Sequence, residues 1–397
     1  MIFTTYWFLA FALIVIPVFW LIPANLGRLW FLAAACAVFH TYFAGPAGVA
    51  PIAILMATTY AAGISRRSSV ILAAVVLAVL TLCFYKYSLF LIGAVVTPLS
   101  PEWGELFARE AGALLPSAPP LGVSFFVFEF VHYLLEVRRG GEPIRSPLKF
   151  ILFSIFFPSL VAGPIKRYPQ FLASLETGTR RFSAEDLAAG MGRIGLGFFK
   201  KILLADNLTA MIEQYQPSFG ELELWGRWLV FAAIAFRILL DFSGYTDIAI
   251  GFARLLGVKL PENFNWPYLA RSLQEFWQRW HISLSSWIRD YIYIPLGGSR
   301  HGVVRRVLNG LIAFALCGLW HGPAWNFVAW GVYHGVGLGI AATYHSIPGL
   351  GAGLSRVFER DPIFAHILTQ AFVWFGWLLF FYPVPVALQM AKLLIGQ

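Results

Sequence analysis

The chain has 397 residues, of which 59% are hydrophobic and only 12% charged, with a formal net charge of +9. Soluble domains carry about a quarter charged residues, so this composition excludes a soluble protein and describes an integral membrane one. Nucleic acid, which such a basic balance would suggest in a soluble chain, is excluded as a partner: the cations cluster in short loops between apolar runs.

Those runs lie near 4–23, 29–44, 48–63, 69–97, 121–136, 148–163, 188–205, 226–252, 306–320, 324–344 and 364–382. Several reach the roughly 20 apolar residues that span a bilayer. They are continuous rather than alternating, which predicts helices and not barrel strands. The first run has no Lys or Arg before it and no small-residue cleavage site after it, so it reads as a retained helix. Cys36, Cys83 and Cys317 lie in separate apolar runs and read as packing residues. Residues 1–119 are plain scaffold helices within a single polytopic domain. Basic clusters at Arg66–Arg67, Arg138–Arg139, Lys166–Arg167, Lys200–Lys201 and Arg305–Arg306 mark the expected cytoplasmic loops. The stretch "PEWGELFAREAGALLPSAPP" holds three Glu and one Arg and is expected outside.

From residue 120 polar, aromatic, Gly and Pro residues enter the apolar context. Irregular backbone at membrane depth is tolerated only against protein or a water-filled cavity, so 120–382 is the expected functional core. Ser183, followed by Glu185 and Asp186, has the pattern of a helix start. "GMGRIG" at 190–195 matches G-x-G-x-x-G, but no strand precedes it; close helix packing through small residues explains it better. Arg237 and Asp241 are spaced i, i+4, which predicts an ion pair within a helix.

Residues 261–300 carry four Trp and three Tyr among Glu, Gln, Arg, His and Asp. They are too polar to cross lipid alone and too apolar for a solvated loop, which predicts interfacial or re-entrant helices. On one helix Trp277, His281 and Ser285 would share a face. Asp290 would then be half a turn out of phase with His281, and the two converge only if the helix breaks. Between two apolar runs stands "GLWHGPAWN". Pro323 disfavours helix at Gly322, so His321 is expected at a break. A buried neutral imidazole can take a proton from a hydroxyl. Cys317, one turn earlier, would be a relay nucleophile only on weak grounds. No G-x-S-x-G elbow or H-E-x-x-H is present, and no metal is expected. His334 is expected as a core residue.

Six blocks in order make the chain similar to a known family: "PLGVSFFVFEFVHYLLEVRRG", "FFPSLVAGPIKRY", "FFKKILLADNL", "DFSGYTDIAIGFARLLG", "PENFNWPYLARSLQEFWQRWHISLSSWIRDYIYIPLGG" and "GLWHGPAWNFVAWGVYHG". They resemble the membrane-bound O-acyltransferase (MBOAT) superfamily, and within it the bacterial polysaccharide O-acetyltransferase branch, with teichoic-acid D-alanylating relatives. The resemblance implies an all-α fold of about eleven transmembrane helices, with re-entrant helices around a central funnel. It implies His321 as the catalytic base and His281 as the second functional histidine. Asp290, Asp241, Trp277 and Asn265 lie in the matched blocks as supporting residues. It implies no permanently bound cofactor and a cytoplasmic acyl thioester, acetyl-CoA, as donor. The acyl group would pass outward to a polysaccharide or envelope glycan. The resemblance also implies a periplasmic or membrane-anchored SGNH-type acetyltransferase as partner, lipid around the helices, and residence in the bacterial inner membrane. "FFYPVP" has Tyr382 where many relatives carry Arg. A transporter or flippase is the rival reading of the same helices, although no internal repeat supports it, and a purely structural subunit is a third.

Overall fold

A computed structural model describes residues 2–116, 118–344 and 349–397. Among the described residues every regular element is helical. Six helical stretches are long and apolar enough to cross a membrane: Asn25–Gly45, Ala47–Ser65, Ser68–Leu99, Leu224–Leu255, Gly302–His321 and Pro362–Phe381. Each coincides with one of the eleven expected runs. Others of those runs are helical but shorter, such as Tyr6–Leu21 and Val123–Arg138. The break at Gly45 has a local cause. Gly45 takes φ 66° and ψ 168° just before Pro46, and a residue preceding proline is driven out of helical geometry.

The chain folds as two compact units. The first comprises Met1–Gly197 with Tyr245–Pro261. Phe3, Phe8, Phe39, Phe157 and Phe252 form an aromatic core there, with Phe8 edge-on to Phe252 at 4.8 Å. Helix Val123–Arg138 is buried almost all round. It carries Glu129, whose carboxylate meets Lys166 Nζ at 2.7 Å, both side chains under 5% exposed. Lys166 was expected in a cytoplasmic loop, and it is instead in the interior. The expected helix start is present: Ser183 Oγ accepts the Asp186 N–H at 3.1 Å. Gly190, in the "GMGRIG" stretch, abuts the Gly251 carbonyl, and a Cβ on either glycine would collide with the other helix. This is helix packing through small residues.

The second unit comprises Phe198–Gly244 with Glu262–Gln397. Its centre is an antiparallel pair, Gly302–His321 and Trp325–Thr343, joined through Gly322–Ala324. The backbones approach closely because Gly318 faces the Phe327 carbonyl and Gly331 faces the Phe314 carbonyl. The cations at 200–201 are not in a loop. Lys201 lies in the π turn Phe199–Ala205, between helices Ala184–Phe198 and Asp206–Tyr215, and bridges Asp206 (2.7 Å) and Asp241 (2.6 Å). The expected Arg237–Asp241 pair does not form. Lys201 takes the carboxylate, and the Arg237 guanidinium lies over the Phe381 ring, 4.9 Å from its centroid. Spacing of i, i+4 permits a pair but does not select it over a cation from another helix.

Candidate active site

The single helix expected across Trp277–Ser285 is broken. Helix Leu273–Arg279 ends, Trp280 is extended, and His281 takes φ 43° and ψ 55° before helix Ile282–Ile288 begins. The left-handed region is uncommon for a side-chain-bearing residue and signals a conformation imposed by its surroundings. What imposes it is the segment at 263–265. The Asn263 carbonyl accepts the Ile282 N–H at 2.9 Å, and the Asn265 N–H donates to the Arg279 carbonyl at 2.9 Å. Backbone groups released by the break are therefore bonded by a neighbouring strand of chain, as burial requires.

The Asn263 side chain completes the arrangement. It is fully buried. Its Oδ1 lies 3.1 Å from His281 Nδ1, 3.1 Å from the Ser283 N–H and 2.8 Å from Ser283 Oγ. His281 is 1% exposed, and its ring stands edge-on to Phe242 at 4.7 Å. Burial, with the charge of nearby His321 second, holds the His281 pKa well below the ordinary histidine value, so the ring is neutral.

His321 is the last residue of helix Gly302–His321, as Pro323 led one to expect, and Gly322 is extended. The ring is half-buried between Trp320 (4.9 Å), Phe380 (5.1 Å) and Trp330 (5.2 Å). Trp320 also lies 6.4 Å from the His281 ring, so both histidines share one aromatic wall. Their two breaks have different origins, one in a local Gly-Pro and the other in a distant Asn.

The other expected residues are distributed around this pair. Trp277 is buried and meets Phe314 at 4.8 Å, His334 at 5.1 Å and Trp330 at 5.7 Å. Asp290 sits in the π turn Arg289–Tyr293, where its carboxylate pairs with Arg289 at 2.8 Å. Asp241 is held by Lys201, one residue before the Phe242 that packs on His281. Asn265 is exposed and contributes backbone only; Asn263, two residues earlier, is the asparagine against His281. Sequence reasoning had no means of ranking the two.

A cavity of about 520 Å³ opens beside these residues. Trp277, Ile282, Phe314 and Cys317 form part of its lining, with Gln278, Ser285, Ser286, Arg289 and Arg306 as polar members. Ile282, the residue after His281, and Cys317, one turn before His321, are in its lining, whereas neither histidine ring is. It has the size and mixed lining of a small-molecule site.

Residues 129–344 match the family model described as MBOAT, membrane-bound O-acyltransferase family. The chain belongs to that family. A probable alginate O-acetylase of Azotobacter vinelandii is 36% identical over 266 residues, 66% of this chain and 50% of that protein. A peptidoglycan O-acetyltransferase of Helicobacter pylori is 30% identical, covering 66% of this chain and 54% of the relative. The teichoic acid D-alanyltransferase of Bacillus subtilis is 30% identical, covering 62% and 66%. The chain spans about half the length of the acetylating relatives that it matches. Both histidine breaks and all of the cavity lining fall inside the region matched to the MBOAT model.

Proposed function

We propose that the protein is an O-acyltransferase of a bacterial inner membrane, moving an acetyl group from acetyl-CoA on the cytoplasmic side to a hydroxyl of an extracytoplasmic polysaccharide or envelope glycan. The observation that carries this reading is the pair of histidines at two helix breaks, sharing an aromatic wall beside a cavity. In the reaction the hydroxyl oxygen attacks the thioester carbonyl carbon as its proton passes to His321. The tetrahedral intermediate collapses, the C–S bond breaks, and the proton leaves with the thiolate. His281, neutral, shares the aromatic wall and orients the hydroxyl or protonated His321 by hydrogen bonding. Developing oxyanion charge needs preorganised donors. In the cavity lining, Trp277, Phe314 and Cys317 suit the apolar part of an acyl-thioester arm, and Arg306 and Arg289 suit its phosphates.

The acceptor polymer would be presented by a second protein, a periplasmic or membrane-anchored SGNH-type acetyltransferase. Within the expected outer stretch at 101–120, Pro101–Leu114 forms one exposed helix, too small for a polymer groove. D-alanyl transfer is the second reading, supported by the Bacillus subtilis relative, and would use the same histidine chemistry.

Purified protein in liposomes, with acetyl-CoA inside and polymer outside, tests this. His321→Ala should lower free-thiol release about 10²–10⁴-fold, the range for loss of a general base, with the melting temperature preserved. Undiminished release would remove His321 from the chemistry. No thiol release by the parent protein, with or without the partner, would favour the transporter reading.

A further inference from the structure

We propose that Asn263 is the positioning residue of the site, fixing His281 as the Nδ1–H tautomer and so leaving its Nε2 lone pair for the reaction. The argument needs only donor and acceptor identities. The Ser283 backbone N–H, 3.1 Å from the Asn263 side chain, can only donate. The atom it meets is therefore the amide oxygen and not the nitrogen, which removes the usual ambiguity of an asparagine flip. An amide oxygen can only accept. His281 Nδ1, 3.1 Å from the same oxygen, must then carry the proton. In a neutral imidazole the other nitrogen holds the lone pair.

A second observation sets Asn263 apart from an ordinary structural asparagine. Its Oδ1 gathers donors from His281 and Ser283, whereas its equally buried Nδ2 has no hydrogen-bond partner. A buried amide placed only to satisfy the fold would engage both ends, because each lost bond is costly. Here the oxygen end alone is engaged, and what it holds is the imidazole and the first turn after the break. The same residue's backbone carbonyl holds Ile282 N–H, so backbone and side chain both define the left-handed turn at His281.

The inference deepens the acyl-transfer reading, so its test has one arm that does not depend on transfer. The full chain is labelled with ¹⁵N-histidine in lipid nanodiscs, and the His281 signals are assigned by their loss in His281→Gln. The parent protein should show the Nδ1–H tautomer. Asn263→Ala should shift His281 to the other tautomer or to a mixture. Asn263→Asp keeps the acceptor oxygen and should retain Nδ1–H. Its added carboxylate favours imidazolium, so the His281 pKa should rise, and the acid limb of the pH–rate profile should move up by about one unit or more. In thiol release Asn263→Ala should fall about 10–100-fold, by analogy with the loss of a partner that orients a functional imidazole. An unchanged tautomer in Asn263→Ala, or an unmoved His281 pKa in Asn263→Asp, overturns the inference whatever the activity. If Asn263→Ala does not fold, the Asn263→Asp shift decides alone. The expected tautomers with no thiol release by any variant would leave the positioning role standing and remove the acyl-transfer reading instead.

Discussion

Two sites, one in each unit, treat buried polarity in opposite ways. In the first, Lys166 and Glu129 form an almost closed set. The ammonium bonds the carboxylate at 2.7 Å and Ser159 Oγ at 2.9 Å, and lies 5.7 Å from the centroids of Phe153 and Phe171. In the second, the region around the histidines leaves polar atoms without hydrogen-bond partners: Asn263 Nδ2, Trp277 Nε1, Trp330 Nε1 and both nitrogens of His334. A buried group left unpaired costs about 1–3 kcal/mol. A fold selected for stability alone would close such a set, as the first unit does around Lys166. The open set surrounds the residues to which chemistry is assigned, which is where strain and imperfect satisfaction are expected to collect.

The largest effect that could break this contrast lies in the first unit. Lys166→Met strands the Glu129 carboxylate, and breaking a buried pair from one side costs about 3–5 kcal/mol. The melting temperature in detergent should fall sharply, and adding Glu129→Gln should recover much of the loss. A double variant no more stable than Lys166→Met would mean that the pair is not what the closed set protects.

The second unit gives a smaller and opposite expectation. His334 is fully buried and ringed by Trp277, Trp330, Tyr333 and Phe372, with centroids 5.0–5.6 Å away. His334→Phe removes two unpartnered nitrogens and keeps a flat ring. The melting temperature should hold or rise, with a change within about 1.5 kcal/mol for a volume-matched core substitution. His334→Ala should instead lose about 2–5 kcal/mol through the cavity it leaves. If His334→Phe proves as damaging as His334→Ala, the ring nitrogens have partners and the set is not open.

The contrast also explains what could be seen in the sequence. Apolar runs announced the long helices because hydrophobicity along a run is a local property. The break at His321 was legible because Gly322 and Pro323 are its cause. "EFWQRWHISLSSW" contains neither Gly nor Pro and keeps helical spacing, so nothing local announced the break at His281. Its cause is Asn263, eighteen residues earlier, acting through tertiary contact. Lys166 looked like a loop cation for the same reason. Its partner Glu129 is 37 residues away, and a rule that counts charges near helix ends cannot register that pairing.

The smallest effect concerns Asp241, where the local rule and the structure name different partners. Helical spacing selects Arg237, whereas the structure gives the carboxylate to Lys201 at 2.6 Å. The Asp241 side chain is 40% exposed and Lys201 also bonds Asp206, so neither contact has the weight of the Lys166 pair. Exposed and half-exposed pairs contribute about 0.2–1 kcal/mol. Two double-mutant cycles on melting free energy separate the partners. Lys201→Met with Asp241→Asn should show a coupling toward the upper end of that range, because Lys201 is only 17% exposed. Arg237→Gln with Asp241→Asn should show coupling near zero. Arg237→Gln alone should still lower stability by about 0.5–1 kcal/mol, since the guanidinium leaves the Phe381 ring. A larger coupling in the Arg237 cycle than in the Lys201 cycle would mean that the carboxylate turns to its helical neighbour after all. The bridge from Asp241 to the π turn at 199–205 would then have no part in holding Phe242 against His281.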